Sequence, residues 1–325
     1  MKAAWYEENG EARDVLTVGA METPTPSAGE VLVRLHASGV NPSDVKSRRS
    51  RPLIAPRIIP HSDGAGVVEA VGDGVDASRI GERVWTWNGQ WKRAFGTAAE
   101  YIALPAEQAV PLPAHLDFAT GACLAIPGLT ALHAVALHGD IAGKTVFVTG
   151  AATAVGHYVV QIARHRGARV IGTTSPERQT HARAAGVDEL IDYRHEDVAE
   201  RVRALTGGKG ADCAIDMDLS STAPLLAKGI LAPHGKIVCY GSNVPADIPV
   251  SFPAMLWNSL TLQVFVMYEF QPEEREARIA ELTGLLENNV LKHSIGARFA
   301  LDDIVSAHEA VEGGRVTGNV VLDIA

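Results

Sequence analysis

The sequence has few cysteines, and their spacing excludes the usual metal-binding patterns. Three cysteines, Cys123, Cys213 and Cys239, are spread over the 325 residues and form no CxxC pair. Clustered thiolates are what a structural zinc ion requires, so we expect no zinc site built from them. Each cysteine is instead predicted to be a small buried apolar residue.

Long runs of basic or apolar residues are also absent. The net charge is −9, and the only basic cluster is KSRRSR at 46–51, which we interpret as a solvated loop, with an anion site as the alternative. We therefore expect no nucleic-acid partner, because a phosphate backbone requires clustered Lys and Arg. No apolar run reaches the ~18 residues of a membrane helix, and the first fourteen residues lack the apolar core of a secretion signal. The expected location is the cytoplasm, away from membranes.

Composition and pattern indicate a folded protein of two domains. Apolar residues make up 46% and charged residues 21% of the chain. Residues 1 to about 120 combine short β-branched runs, such as Val31–Val40 and 64–72, with frequent Gly and Pro, which predicts a twisted barrel-like or mixed β domain. From about 117 to 258, strand-like and helix-like runs alternate, which predicts a parallel sheet with crossover helices.

The α/β region contains six predicted strands, the number found in a doubly wound dinucleotide-binding sheet. They are Thr145–Thr149, Arg169–Thr173, Glu189–Ile191, Cys213–Met217, Lys236–Tyr240 and Thr261–Val266. Three helices are predicted here. The first begins at Pro176 and ends at Gly186, the second lies within 195–208, and the third spans Pro272–Asn288. A final strand, Asn319–Ile324, is expected to rejoin the first domain.

The segment from Lys144 to Thr174 reads as strand, glycine-bearing turn, helix and second strand. Its turn contains the candidate cofactor residues Gly150, Ala152, Thr153, Ala154, Val155 and Gly156. Such a turn directs backbone amides and a helix N-terminus toward a dinucleotide pyrophosphate. Thr153 stands where a glycine is expected, and we predict that it contacts a pyrophosphate oxygen through its hydroxyl or its amide. An α/β unit without a ligand is the alternative.

The end of the second strand predicts NADPH rather than NADH. NAD sites usually place a carboxylate there to bind the adenosine ribose. This chain has Thr174 and Ser175 instead, with Arg178 one turn later, and a hydroxyl with a guanidinium suits a 2′-phosphate. For Arg178 the alternative is an ordinary solvated helix residue.

Several segments, taken in order along nearly the whole chain, resemble the zeta-crystallin-like quinone oxidoreductases, a zinc-free branch of the medium-chain dehydrogenase/reductase superfamily. The segments are Ala37–Lys46, Ser62–Val75, Gly96–Ala106, Ile126–Ala134, the turn at 150–156 and Gly313–Asp323. The resemblance implies a GroES-like substrate domain at 1–120, a Rossmann NADPH-binding domain at 121–268, and a return to the first domain at 269–325. It also implies a nicotinamide cleft between the domains and a homodimer joined through the last Rossmann strand, TLQVFVM, whose apolar edge invites pairing.

The resemblance also allows the catalytic zinc to be examined. Zinc-dependent relatives use Cys, His and Cys, and the matching positions here are Asn41, Ser62 and Ile126. These cannot form a thiolate–imidazole site, so we expect an enzyme without a metal. His61 adjoins one of these positions, where Gly is more usual, and we interpret it as a hydrogen-bonded structural residue.

Further site residues are implied by the resemblance alone. Asn41 would contact the nicotinamide ribose or form an Asx turn, Thr130 would lie near the carboxamide or begin a helix, and Tyr193 would lie beside the adenosine phosphate or end a surface strand. The segments Gly241–Ser242 and 265–267 (Phe265, Val266, Met267) would border the cofactor, with a plain core strand as the alternative for the latter. No catalytic acid is identified; Lys46, which replaces a frequent Tyr, and Trp87 and Trp91, which can stack on a flat quinone or serve the core, are the cleft candidates.

Three functions compete at this point. The first is an NADPH-dependent quinone reductase that delivers hydride from the cofactor. The second is a reductase of the C=C bond of enones, alkenals or haloacrylates. The third is a cofactor-binding protein with a structural or regulatory role, as in lens crystallins. The sequence does not distinguish a quinone from another conjugated carbonyl acceptor, nor one-electron from two-electron transfer.

Overall fold

A computed structural model describes residues 1–324, which form two compact units. One unit comprises residues 1–126 together with the described residues from 293 onward, and the other comprises 127–292. The domain boundaries at 120 and 268 stay a prediction. No helix within residues 1–324 combines the length and the apolar character needed to cross a membrane.

Fifteen strands are formed within the described residues. In chain order they are β1 (Lys2–Trp5), β2 (Thr17–Ala20), β3 (Glu30–Val40), β4 (Asp63–Val71), β5 (Arg83–Thr86), β6 (Tyr101–Pro105), β7 (Ala109–Pro111), β8 (Thr145–Val148), β9 (Arg169–Thr174), β10 (Glu189–Asp192), β11 (Ala211–Asp216), β12 (Leu231–Cys239), β13 (Thr261–Val264), β14 (Ile295–Ala300) and β15 (Asn319–Asp323).

Eleven α-helices lie between these strands in the same part of the chain. They are α1 (Ala12–Val15), α2 (Pro42–Ser50), α3 (Phe118–Gly121), α4 (Thr130–Ala136), α5 (Ala154–His165), α6 (Gln179–Ala184), α7 (Val198–Leu205), α8 (Leu219–Leu226), α9 (Phe252–Trp257), α10 (Pro272–Glu287) and α11 (Ile304–Glu312). A π-helical segment, Leu124–Leu129, precedes α4.

The unit of residues 127–292 is built on a six-stranded parallel sheet. Its strand order is β10-β9-β8-β11-β12-β13, so the six predicted strands and the doubly wound topology are confirmed. The order reverses between β8 and β11, and the carboxyl ends at such a switch point are where ligands bind in these sheets. All six observed strands differ from their predicted bounds at one end or both, by one or two residues except at the start of β12. β12 begins earlier, at Leu231, because it continues alongside β11, and β13 ends at Val264, before the two residues predicted to extend it.

The predicted helices of this unit are present, but one of them begins differently from the prediction. The helix predicted from Pro176 to Gly186 is a 3-10 turn, Pro176–Arg178, followed by α6. The turn is tightened because the Arg178 amide donates to the Ser175 carbonyl, three residues back, at 3.1 Å. Further along, α7 begins where Asp197 Oδ1 accepts from the amides of Ala199 and Glu200, as an N-cap carboxylate does.

The other unit is β-rich, as predicted. Its seven-stranded sheet has the order β14-β15-β3-β4-β5-β7, with β6 also pairing with β3. Nearly every residue of the long strand β3 is buried or half-buried, which explains its run of apolar side chains. The last strand, β15, pairs antiparallel with β3 through Val320 and Val40. The expectation that the C-terminal strand rejoins the first part of the chain is therefore confirmed.

Candidate functional site

The turn between β8 and α5 requires its two outer glycines. Gly150 has a φ of +65°, and a Cβ there would lie 2.2 Å from Met217 Sδ. A Cβ on Gly156 would lie 2.1 Å from the carbonyl oxygen of Gly150, so the helix approaches the turn more closely than any side chain permits. This crowding keeps the helix N-terminus directed at the end of β8.

Three amides of this turn remain available for an anion. The N–H groups of Ala152, Ala154 and Val155 donate to no acceptor within residues 1–324. They lie at the start of the twelve-residue helix α5, where the helix dipole favours negative charge. The turn therefore fits a pyrophosphate, and the amides supply the hydrogen bonds.

Thr153 is committed to the turn itself. Its hydroxyl donates to the Gly150 carbonyl at 2.8 Å and accepts from the Gly156 amide at 3.0 Å, which makes it the N-cap of α5. A hydroxyl has one donor and two acceptor positions, so these two bonds use its donor and one of its acceptor positions. The Thr153 amide likewise donates to Gly150, at 2.9 Å. Contact between Thr153 and a pyrophosphate stays a prediction, and this geometry does not favour it.

The end of β9 carries an unsatisfied hydroxyl. Thr174 is buried, and its Oγ1 has no hydrogen-bond partner among the described residues. A buried polar atom without a partner costs free energy, which a bound ribose or phosphate oxygen would recover. Ser175 is also buried.

A second arginine adjoins this position and was not identified from the sequence. Arg194 forms a 2.8 Å ion pair with Glu177, and its guanidinium lies 5.9 Å from the centroid of the Tyr193 ring. Tyr193 itself is 51% exposed. The available signal was the position of Arg194 directly after a candidate adenosine residue. Together with Arg178, which ends the 3-10 turn, it supplies positive charge at the end of β9.

The remaining candidates of this unit differ in their surroundings. Gly241 is required, since its Cβ would lie 2.7 Å from the Met217 carbonyl, and the Ser242 hydroxyl donates to the Val244 carbonyl at 3.0 Å. Thr130 is buried at the start of α4. Of the three residues after β13, Phe265 packs edge-on against His133 at 4.8 Å, Val266 is exposed and Met267 is buried.

In the β-rich unit, Asp63 organises the residues at the expected cleft positions. Its Oδ2 accepts from Asn41 Nδ2 at 3.1 Å and from the Ile126 amide at 3.0 Å. Asp44 Oδ2 in turn accepts from the backbone N–H of Asn41 at 2.7 Å. Burial raises the pKa of Asp63 well above its usual value and that of Asp44 to about 7. The sequence analysis missed Asp63, whose only signal was its place after Ser62.

Two of the positions that match zinc ligands in the resembling enzymes thus meet at this carboxylate. Asn41 and Ile126 both donate to Asp63, and Ser62 precedes it in the chain. An amide, a hydroxyl and an aliphatic side chain do not fit a zinc ion. Within residues 1–324 no group of three or more His, Cys, Asp or Glu side chains is arranged to hold a metal.

His61 belongs to a buried chain of hydrogen bonds. It has a φ of +76°, its Nδ1 lies 2.9 Å from Ser38 Oγ, and its Nε2 lies 2.9 Å from His308 Nε2. Ser38 Oγ continues to Thr97 Oγ1 at 2.8 Å, and Thr97 donates to the Asp63 carbonyl at 2.7 Å. Two neutral imidazoles satisfy the chain with one proton between the rings. Burial lowers the pKa of His61 to about 3 and that of His308 well below its usual value.

The three cleft candidates lie in different surroundings. Lys46 is exposed on α2, whereas Trp87 is only 3% exposed. Trp91 is half-buried, and the Arg51 guanidinium lies 4.7 Å from its ring centroid.

Two family models match the chain. One, described as an alcohol dehydrogenase GroES-like domain, matches residues 27–114, and the other, described as a zinc-binding dehydrogenase, matches residues 154–284. The human quinone oxidoreductase is 34% identical over 310 residues, which cover 92% of this chain and 90% of the relative. A 2-haloacrylate reductase from Burkholderia sp is 33% identical over 312 residues, 92% of each chain. The solved structure of the Escherichia coli quinone oxidoreductase with NADPH matches all of both chains, with a TM-score of 0.89 and 26% identity.

Proposed function

The chain belongs to the quinone oxidoreductase family of the medium-chain dehydrogenase/reductase superfamily, and we propose that it is an NADPH-dependent, zinc-independent quinone reductase. The observation that carries this proposal is 34% identity to the human quinone oxidoreductase across 92% of the chain. The reaction is NADPH + H⁺ + quinone → NADP⁺ + hydroquinone. NADPH, when bound, supplies the hydride.

The residues of the turn and of the β9 end support NADPH as the cofactor. The amides of Ala152, Ala154 and Val155 would bind the pyrophosphate. The Thr174 hydroxyl, with Arg178 and Arg194, would bind the 2′-phosphate, since guanidinium groups bind phosphate oxygens in pairs. The solved Escherichia coli relative holds NADPH.

The remaining site residues would position the reactants. Asn41, fixed by its hydrogen bond to Asp63, would contact the nicotinamide ribose, as the family resemblance implies. Thr130, Tyr193, Gly241, Ser242 and the residues 265–267 would border the cofactor. Negative charge that develops on the quinone oxygen needs hydrogen-bond donors, which water can supply, and the proton comes from solvent.

The proposal is tested by measuring NADPH and NADH oxidation against a panel of quinones and enones, with metal content determined on the same sample. We expect quinone-dependent oxidation of NADPH that exceeds that of NADH and persists with a chelator. Binding of NADPH without turnover of any panel member would favour the structural or regulatory function. Stoichiometric zinc would favour an alcohol dehydrogenase instead.

The 2′-phosphate site is tested by Arg178→Gln. We expect its KM for NADPH to rise about tenfold, the loss of one charge-assisted contact, while its KM for NADH stays unchanged. Arg183→Gln is the matched control, because Arg183 is an exposed arginine of the following helix, α6. An equal effect of Arg178→Gln on both cofactors would remove Arg178 from the phosphate site.

A second candidate is reduction of a C=C bond conjugated to a carbonyl or carboxylate. It is favoured by the 33% identity to a 2-haloacrylate reductase over 92% of the chain. The same panel separates the two candidates: higher kcat/KM for enones or 2-haloacrylates than for quinones would establish the second.

We also propose that two copies pair through β13 to form a homodimer. This strand is at the edge of the parallel sheet, and Val264 is 65% and Val266 48% exposed. An apolar edge strand offers unpaired backbone groups to a second copy. Light scattering is expected to give twice the mass of the chain for the wild type and a monomer for Val264→Lys. A monomeric wild type would exclude this interface.

A further inference from the structure

The arginines of the basic segment 48–57 differ in whether they pair with a carboxylate. Arg48 pairs with Glu312, Arg49 with Glu11 at 2.6 Å and Arg57 with Glu7 at 2.7 Å. Arg51 forms no ion pair with a carboxylate of residues 1–324, and its side chain is exposed. One cation of this segment therefore keeps its charge available to a ligand in an otherwise acidic protein.

The Arg51 guanidinium is held in place by Trp91. Its Cζ lies 4.7 Å from the centroid of the indole ring, a cation–π distance. A guanidinium has five N–H donors, and contact with one ring leaves several of them to bind a carboxylate. Because the contact with Trp91 already orders the side chain, a ligand loses less conformational entropy on binding it.

A second cation meets the same ring. Lys92 Nζ lies 5.7 Å from the Trp91 ring centroid. Both Asn88 and Lys92 have a positive φ, +54° and +56°, which is uncommon for residues other than glycine. Strained backbone of this kind persists where it positions functional side chains.

The loop that carries Trp91 begins beside the residues expected to face the acceptor. The Gly89 amide donates to the Ser62 carbonyl at 2.9 Å, and Ser62 adjoins Asp63, which holds Asn41. Exposed apolar side chains lie on the same two segments, Ile54 at 57% and Phe95 at 45%. These two segments thus offer an apolar contact and a positive charge, and one of them is hydrogen-bonded to the residue before Asp63.

We propose that Arg51, held over Trp91, forms an anion-binding surface that recognises a carboxylate on the conjugated acceptor. The preferred substrates are anionic quinones or enones rather than neutral ones. The expected difference in kcat/KM rests on the proposed reductase function. The expected difference in binding does not, so binding is the direct test.

The experiment compares a carboxylated benzoquinone with its methyl ester in the wild type and in two variants. Arg51→Gln removes the proposed contact. Arg57→Gln is the matched control, because Arg57 also lies over a tryptophan, Trp5 at 4.8 Å, but is paired with Glu7. We expect kcat/KM for the carboxylated quinone to exceed that for the ester by about three- to tenfold in the wild type and in Arg57→Gln. In Arg51→Gln the two values are expected to be equal. Arg51→Lys is expected to keep part of the preference, and salt at about 1 M to reduce it.

The same pair is measured by equilibrium dialysis, which does not require turnover. If neither compound is reduced, the proposed function fails, yet tighter binding of the carboxylate that disappears in Arg51→Gln still supports the anion surface. Equal use and equal binding of the two compounds by the wild type, or a preference that survives in Arg51→Gln, overturns it.

Discussion

The side chain of Asn41 donates from Nδ2 to Asp63 Oδ2 at 3.1 Å, and this bond is buried. One of the two N–H donors of this side-chain amide is committed to Asp63, which fixes the orientation of Asn41. A second, partly buried donor, the Ile126 backbone amide, shares the same carboxylate oxygen.

Asp63→Ala is expected to lower the free energy of unfolding by about 2 to 5 kcal/mol, because it leaves one buried and one partly buried donor without an acceptor. Asp63→Asn keeps one side-chain oxygen for both donors, and burial already raises the pKa of Asp63 toward the neutral form, so its cost is expected to stay below about 1 kcal/mol. Urea unfolding measures both. Equal destabilisation by the two variants would show that the charge, not the acceptor, matters.

Thr153→Ala is expected to lower the free energy of unfolding by about 1 kcal/mol, the usual value of an N-cap, whereas Thr153→Ser keeps the capping hydroxyl. Because the hydroxyl already donates its proton to the Gly150 carbonyl, Thr153→Gly should change the dissociation constant of NADPH by less than about threefold. Calorimetric titration measures this constant. A tenfold weakening in Thr153→Gly would instead assign the hydroxyl to the phosphate.

Gly156→Ala is expected to destabilise the protein by about 1 to 3 kcal/mol and to weaken NADPH binding, since the new Cβ would overlap the Gly150 carbonyl. Gly284→Ala is the control. Gly284 lies in α10 with no atom within 4 Å of a built Cβ, so alanine should stabilise the protein by about 0.5 to 1 kcal/mol. Thermal unfolding and NADPH titration of both variants decide whether the close approach is essential.

The buried pair His61–His308 predicts acid sensitivity. Both pKa values are lowered by burial, so between about pH 6.5 and the folded pKa the unfolded chain binds more protons than the folded one. Stability contributed by the neutral rings is present above about pH 6.5 and is lost as the pH falls. Asp44, whose pKa is raised to about 7, acts in the opposite direction, so the wild-type curve alone is a poor test.

Comparing the pH dependence of stability in the wild type and in His308→Gln isolates the contribution of the His308 ring. As the pH falls from about 6.5 to about 4, the stability of the variant should gain on that of the wild type by about 1.4 kcal/mol per pH unit. Denaturant unfolding at a series of pH values measures the difference. Curves that stay parallel would mean that His308 is protonated in the folded protein.

Much of the fold could be predicted because it depends on local pattern. Alternating β-branched and helical runs gave all six strands of the parallel sheet and its topology. The ends of β12 and β13 and the 3-10 turn at Pro176 were missed, since pairing with a neighbouring strand and the hydrogen bonds of a single turn are not encoded in periodicity. The cofactor residues and their chemistry stay predictions, supported by the free amides of the turn and the unsatisfied hydroxyl of Thr174.

The sequence by itself determined the class of protein: a chain with a dinucleotide turn, without a zinc ligand set, and without a carboxylate after the second strand. Only the tertiary structure decided which groups are already satisfied. It bound the Thr153 hydroxyl within the turn, joined Asn41 to Asp63, and left Arg51 over Trp91 while its neighbours were paired. The reason is physical: composition specifies which donors, acceptors and charges exist, but their partners depend on distances between residues far apart in the chain.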